Sequence, residues 1–348
     1  MYIDNLPTKF YMHGCCTIIT CMINTRLFEH YKINTGKDLK IKNRCPRPFD
    51  TLLVDKEGSC FACECTAWLP QSIGNLHLRD LTEILQSPVL TELQASIDDG
   101  SYRYCNAKQC AYLNTREFAD TTTVFHLRLA IDDSCNLRCP SCRKDLVFHK
   151  SGTKFNARIR LADRINHWLD NTSERPIQVH IGSDGDPFAS HVYRHFMEGV
   201  PDKDNIRYSM LTNGLLFKDF SDKVPQVLNK LDKLSISIDG ATQDTYEKLR
   251  LGGSWKKISE ALLYISEIKK KYNFEWSMHM VVQKDNWWEM STMLELAHKL
   301  GVDKVYYNKI QDWNTGIDMS LQDLDNIKGV KEECEKVRAD PIARVWLL

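Results

Sequence analysis

The sequence predicts an α/β protein: a TIM-like partial (β/α)6 barrel preceded by a small cysteine-rich module. Three observations predict it. From Phe125 onward, short β-branched runs alternate with amphipathic stretches, the pattern of βαβ units around a parallel sheet. Six such units can be counted, so an open six-stranded barrel fits better than a closed one of eight. Ahead of them the stretch Cys45 to Cys110 has a different texture, punctuated by glycine and rich in cysteine. A chain of 348 residues exceeds a usual single core and suits one α/β domain of about 200 residues plus a smaller unit.

Along the chain, residues 1–44 read as an extension, 45–115 as the module, 120–319 as the barrel and 320–348 as a closing helix and tail. In the extension, Met22 is an alternative start to Met1. In the module, Asp55–Gly58 marks a hairpin and Leu78–Ile97 a Pro-interrupted helical stretch. The module reads as separate, with the polar segment Thr115–Thr123 as its connection to the barrel. Barrel strands are expected at Phe125–Ile131, Ile177–Gly182, Ile206–Leu211, Lys233–Ile238, Glu275–Val282 and Lys304–Asn308. The helix after the fifth strand has the clearest signals. Asn286 and Glu289 stand at N-cap and N3, Met290, Met293, Leu294, Ala297 and Leu300 share a face, and Gly301 closes it. Ser320–Val337 reads as a closing helix, and no internal repeat or low-complexity tract is present.

Lys plus Arg and Asp plus Glu are both 46, so net charge offers no electrostatic case for nucleic acid or an anionic membrane. No stretch reaches the ~18 apolar residues of a membrane span, and Cys15–Ile23 lacks the basic start and small-residue cleavage site of a signal peptide. The expectation is a soluble cytoplasmic protein without nucleic-acid or membrane partners. Thirteen cysteines in so long a chain point to metal ligation rather than a disulfide scaffold, and hence to a reducing compartment.

The segment Ala130-Ile-Asp-Asp-Ser-Cys-Asn-Leu-Arg-Cys-Pro-Ser-Cys142 places a CxxxCxxC just after the first strand, at the C-terminal mouth where barrel active sites are built. Three thiolates can hold three irons of a four-iron cluster and leave the fourth open to a chelating ligand. Structural zinc demands four protein ligands. In this respect the chain resembles the radical S-adenosylmethionine (SAM) superfamily, whose members chelate SAM through its amino and carboxylate groups. The resemblance implies a catalytic [4Fe–4S] cluster on Cys135, Cys139 and Cys142. One departure is Ser141, where family members often carry an aromatic residue near adenine.

Further motifs extend the resemblance. Gly182-Ser-Asp-Gly-Asp-Pro-Phe188 is similar to the family's GEP-type turn, with Gly185 and Asp186 at the positions that receive the SAM amino group, although Gly-Asp-Pro is also an ordinary turn. Thr212-Asn213-Gly214 resembles its TNG turn, in which Thr and Asn face SAM or substrate, although Asn-Gly is a turn signal by itself. Ser235-Ile-Ser-Ile-Asp-Gly240, followed by Tyr246 and Arg250, is similar to the pattern of members with an auxiliary SPASM domain. There, Ser237 and Asp239 match ribose contacts, and Arg250 matches the residue that pairs with the methionyl carboxylate. Asn286 falls where the family often has an asparagine, but capping explains it without function. His180, His279, Tyr306 and Tyr307 lie on barrel strands, where they either pack or face substrate.

Cys45, Gly58 and Cys63 match the opening of the SPASM signature, and Cys105 and Cys110 complete a set of four. The resemblance implies one auxiliary [4Fe–4S] cluster, in a domain that here precedes the barrel rather than following it. Cys60 and Cys65 are close enough in sequence to compete, and a four-cysteine zinc site is the alternative. Cys15, Cys16, Cys21 and Cys334 read as ordinary thiols. As resemblance implies, a flavodoxin or ferredoxin-type donor reduces the catalytic cluster, SAM is cleaved, and a 5′-deoxyadenosyl radical abstracts hydrogen. The substrate implied is a peptide to be modified or oxidised. The alternatives are dehydrogenation of a small molecule and a noncatalytic metal module that binds a partner. No catalytic side chain of the protein itself is indicated.

Overall fold

The structure, a computed structural model, describes residues 44–106, 110, 112–113, 123–172, 175–310, 317–325 and 327–347. Cys15, Cys16, Cys21, Met22 and all of the expected connection except Thr123 lie outside the described residues. Ten strands form one sheet: β1 (Thr51–Asp55), β2 (Ser59–Phe61), β3 (Ser72–Asn75), β4 (Phe125–Ala130), β5 (Ile177–Ile181), β6 (Ile206–Thr212), β7 (Leu231–Ser237), β8 (Glu275–Val281), β9 (Lys304–Asn308) and β10 (Ala343–Trp346). The principal helices are α1 (Pro88–Asp98), α2 (Gly152–Asn171), α3 (His191–Glu198), α4 (Gln243–Leu249), α5 (Trp255–Tyr272), α6 (Met290–Leu300) and α7 (Val330–Arg338).

Strands β4 to β9 are the six expected barrel strands, each starting and ending within two residues of the sequence-based bounds. They pair in chain order, all parallel. Alternation decides what faces where. On β4, Phe125, Leu127 and Leu129 are buried against the helices, while His126, Arg128 and Ala130 face the barrel interior and are half-buried. The same rule buries Tyr307, whose hydroxyl donates to the Met290 carbonyl at 2.7 Å, and turns Tyr306 inward. The core therefore lies between sheet and helices, and the barrel interior is polar.

The module is not a free-standing unit. Its β1 pairs in parallel with β4, from Thr51 opposite His126 to Asp55 opposite Ala130, so the hairpin extends the barrel sheet. The physical reason is the apolar run Leu52–Val54, which is buried and covers an edge of β4 that would otherwise be left unpaired. The β1–β2 hairpin turns at Asp55–Gly58 as expected, with Gly58 at φ +76° and Asp55 accepting from the Glu57 and Ser59 amides. At the far end, β10 adds a parallel strand beside β9 that the sequence reading missed. The expected closing helix is shorter, because Gly329 at φ +97° interrupts it and α7 starts only at Val330.

One capping assignment is corrected. The helix after β8 buries Met290, Met293, Leu294, Ala297 and Leu300 and ends at Gly301 with φ +75°, as expected. Asn286, however, caps nothing: its amide donates to the Asp239 and Val281 carbonyls at 2.9 Å each, and its oxygen accepts from the Gln283 amide. Glu289 crosses to the start of α4. There it accepts from the Ala241 and Thr242 amides and from the hydroxyls of Thr242 and Thr245. A short 3-10 turn at Trp287–Glu289 rotates both side chains away from their own helix and towards the turn after β7.

Replacing Glu289 with Ala should therefore cost about 2–4 kcal/mol, because two amides and two hydroxyls lose their acceptor in a buried corner. Urea denaturation of the metal-free protein followed by circular dichroism would measure it. A cost under about 1 kcal/mol would be that of an ordinary helix-terminus residue and would contradict this role.

Candidate functional site

The cysteine triplet sits on the loop that leaves β4 at the barrel mouth. Cys135 and Cys139 are buried and Cys142 is exposed. The loop folds back on itself: the Cys135 amide donates to the Val147 carbonyl at 2.9 Å, and the Cys142 and Arg143 amides both donate to the Cys139 carbonyl at 3.0 Å. The Leu137 amide points at the Cys135 sulfur, 3.4 Å away. Burial pushes the Cys135 thiol up to about 12, so metal binding there is coupled to proton release.

Two aspartates that precede the first cysteine anchor this loop. Asp132, fully buried, accepts from Arg158 of α2 and from the Ser190 hydroxyl, each at 2.6 Å. Asp133 accepts from Arg158, from Lys56 at the tip of the module's hairpin and from His149. Burial alone would raise the Asp133 carboxyl, but hydrogen bonds from Lys56 and Arg158 prevail and hold it well below the usual carboxylate range. Asp132, Asp133 and His149 approach as closely as metal ligands would. Their charge, however, is already matched by Arg158 and Lys56, so they serve the loop. None of these anchors carried a signal in the sequence, since the pairs are separated by 26 and 77 positions.

The turns after the next three strands press against this loop. Gly185 stands at φ +66°, and a Cβ there would come within 2.7 Å of the Asp132 and Ser134 carbonyls; close approach, rather than a side chain, is what this position supplies. Asp186 uses both carboxylate oxygens within the protein. One accepts from the Phe188 and Ala189 amides, the other from the Thr212 hydroxyl at 2.7 Å and the Asn213 amide at 2.8 Å. Thr212 and Asn213 are thereby clasped to the preceding turn. The Asn213 amide group reaches the Cys135 sulfur at 3.7 Å and Asn136 at 2.8 Å.

Ser237 ends β7 on the inner face, in register with His279. Asp239 is buried, accepts from the Val281 amide and pairs with Arg250 at 2.9 Å. Arg250 also donates to the Cys139 sulfur at 3.7 Å. Burial works against its charge, but Asp239 and Cys139 beside it hold the guanidinium in the charged form. The structure thus brings Gly185, Asp186, Thr212, Asn213, Asp239 and Arg250 into one ring beneath the triplet, with Asn213 and Arg250 donating to two of its three sulfurs.

In the module, Cys45, Cys63, Cys105 and Cys110 line one small cavity with Trp68, Tyr102 and Tyr112. Burial raises all four thiols, Cys45 to about 11 and Cys63 to about 12, and the Cys105 thiol feels the other three. Cys60 does not compete: it is buried in the main core, and its thiol points to the Gly58 carbonyl. Cys65 lies near Cys110 and remains beside the set. The donor spacing tests the metal. Tetrahedral zinc, with bonds of about 2.3 Å, would bring its sulfurs to about 3.8 Å from one another. Among the described residues no three cysteine sulfurs gather within 4.8 Å. All-thiol sets of this kind are the donors that iron–sulfur clusters use.

Comparison with known proteins agrees. Residues 131–297 match the radical SAM superfamily, and residues 45–111 match an iron–sulfur cluster-binding domain, SPASM. A probable GTP 3′,8-cyclase of Methanococcus maripaludis is 27% identical over 151 residues, covering 42% of this chain and 48% of that protein. An AdoMet-dependent heme synthase of Methanosarcina barkeri is 27% identical over 173 residues, 48% of this chain and 45% of its own. The matched stretch spans about half the length of these curated relatives. Among solved structures, Streptococcus suis SuiB bound to its precursor peptide SuiA superposes with a TM-score of 0.47 at 12% identity, covering 77% of this chain and 55% of that one.

Gly185→Ala should destabilise the protein by at least about 1 kcal/mol more than Gly301→Ala, which has a similar positive φ but open space around its Cβ. It should also release iron from the barrel site, measured by iron analysis after gel filtration. Equal behaviour of the two variants would show that the tight seat against the cysteine loop is unimportant.

Proposed function

We propose that this chain, which carries a radical SAM domain with an iron–sulfur SPASM domain ahead of it, cleaves SAM reductively and takes a hydrogen atom from a peptide substrate. The carrying observation is the loop itself: three thiols at a barrel mouth, where a protein-saturated metal would need four. The cofactors are SAM and iron–sulfur clusters. When bound, they supply the one-electron cleavage of a sulfonium and the resulting carbon radical.

The protein's own residues do the rest. Cys135, Cys139 and Cys142 hold the catalytic [4Fe–4S] cluster, and Cys45, Cys63, Cys105 and Cys110 the auxiliary one. Donation to sulfur from Asn213 and Arg250 stabilises negative charge on those thiolates and so tunes the potential. Gly185, Thr212, Ser237, Asp239 and Arg250 shape the seat for SAM, Arg250 with guanidinium hydrogens aimed at the mouth beside Cys139. Asp186 positions Thr212 and Asn213. An external flavodoxin or ferredoxin-type donor approaches on the side of Cys142, the exposed member of the triplet. Cys45, Cys63, Cys105 and Cys110 would hold a second cluster, which would supply an electron acceptor or a point of substrate orientation.

Support for a peptide comes from the open sheet: among the described residues β3 and β10 are its ends, and an unpaired strand edge can take an extended chain by strand addition. A second reading is a small anionic molecule, favoured by the curated relatives named as GTP 3′,8-cyclases. Among the described residues no helix is long and apolar enough to cross a membrane.

Anaerobic reconstitution should yield about eight irons per chain, and reductant plus SAM should yield 5′-deoxyadenosine. Replacing Cys135, Cys139 and Cys142 together with Ala should halve the iron and abolish that product. Retained cleavage would refute the assignment. Mass spectrometry after incubation with a precursor peptide encoded nearby, against incubation with GTP, separates the two substrates.

A further inference from the structure

The cations along the inner face of the barrel are nearly all engaged. Arg207 pairs with Asp232, Lys233 and Lys304 both pair with Glu275, and Arg344 donates to the Pro341 and Ala343 carbonyls. Arg128 is the exception. It sits in the middle of the inner wall on β4, flanked in register by Leu53 on one side and His180 on the other. Among the described residues it has no ion pair, and its Nε is shielded from solvent without a hydrogen-bond acceptor. The amide nitrogen of Gln178, on the adjacent strand and opposite His126, is in the same condition. Both orphaned atoms are donors.

The surrounding groups do not compensate the guanidinium. His126 and His180 stack at 5.4 Å, joined by a 3.1 Å hydrogen bond, and Ser209 closes the row on the His180 Nδ1. Burial, reinforced by Arg128, lowers His180 to about 3, and burial lowers His126 as well, so neither imidazole offers the guanidinium a counter-charge. The nearby carboxylates of Asp50 and Glu64 belong to Arg47. A half-buried positive charge with an unsatisfied N–H is costly unless something accepts from it. What fits two unmatched donors on adjacent strands of one wall, one of them charged, is an oxyanion.

We propose that Arg128 and Gln178 form a substrate subsite that binds an oxyanion, a carboxylate or phosphate group, on the inner wall of the barrel. The subsite rests on the reading of this barrel as a radical SAM enzyme and adds the chemistry of what it takes. Arg128 lies two residues below the end of β4, about 7 Å beneath the cysteine loop at the strand rise. An anion held there leaves the remainder of the substrate rising to the mouth. In a peptide the group is an acidic side chain or C-terminal carboxylate, and in a small molecule it is a phosphate.

The test uses the full-length, reconstituted protein under anaerobic conditions without reductant. Calorimetry with tripolyphosphate and with the peptide Gly-Glu-Gly, at matched ionic strength, measures binding and tells phosphate from carboxylate. At least one probe should bind, Arg128→Gln should weaken it about tenfold or more, and Gln178→Ala should weaken it less. The bound probe should also protect Arg128 of the unsubstituted protein from phenylglyoxal, read by peptide mass spectrometry, which keeps the test decisive if Arg128→Gln misfolds. Binding of neither probe, unchanged affinity in Arg128→Gln, or absence of protection would each overturn the subsite. SAM cleavage is assayed separately. Its failure with oxyanion binding intact would sink the radical reading alone, and loss of binding with cleavage intact would sink the subsite alone.

Discussion

The buried contact of Asp132 with Arg158, at 2.6 Å, is the constraint on which the rest of the mouth depends. Sulfur donors for a cluster must be presented together by a loop that has no regular structure of its own. A loop of this kind costs conformational entropy to hold. Here the cost is offset by a carboxylate with no exposure, a guanidinium from the following helix, and the Ser190 hydroxyl from the next βα unit. Removing one partner would strand a buried charge, which is why such pairs specify position more than they add net stability.

From that anchor, buried polar side chains tie the βα turns to one another or to the cysteine loop. Asp186 joins the turn after β5 to the one after β6, and Asn213 joins the latter to the cysteine loop. Asp239 and Arg250 join the end of β7 to Cys139, and Asn286 and Glu289 reach back from the β8 unit to support them. A ring of this sort is costly if half-satisfied and rigid when complete. At the mouth the charged members face each other, Arg250 against Asp239 at 2.9 Å, whereas on the inner wall Arg128 and Gln178 keep donors unmatched.

Sheet continuity couples the two cysteine sets. Because β1 is hydrogen-bonded to β4, the module's hairpin tip carries Lys56 to Asp133 at 2.6 Å and to Asp184 at 3.4 Å. The auxiliary cysteines and the triplet are therefore held in a common frame rather than on two bodies joined by a tether.

Sequence alone determined the strands and singled out the triplet and the four module thiols that line one cavity, because period-2 alternation, glycine turns and cysteine spacing are local signals that need no knowledge of what packs beside them. It also located Gly185, Asp239 and Arg250, whose motifs are short and contiguous. Tertiary structure alone decided that Asn286 and Glu289 support the turn after β7 and the helix start beyond it instead of capping their own helix, that Cys60 turns into the core, and that β1 joins the barrel. These outcomes depend on partners 40 or more positions away, or on which face of a strand the core occupies. A hydrogen-bonding side chain commits to whichever acceptor or donor the fold brings within 3 Å, and no local pattern in the chain records that choice.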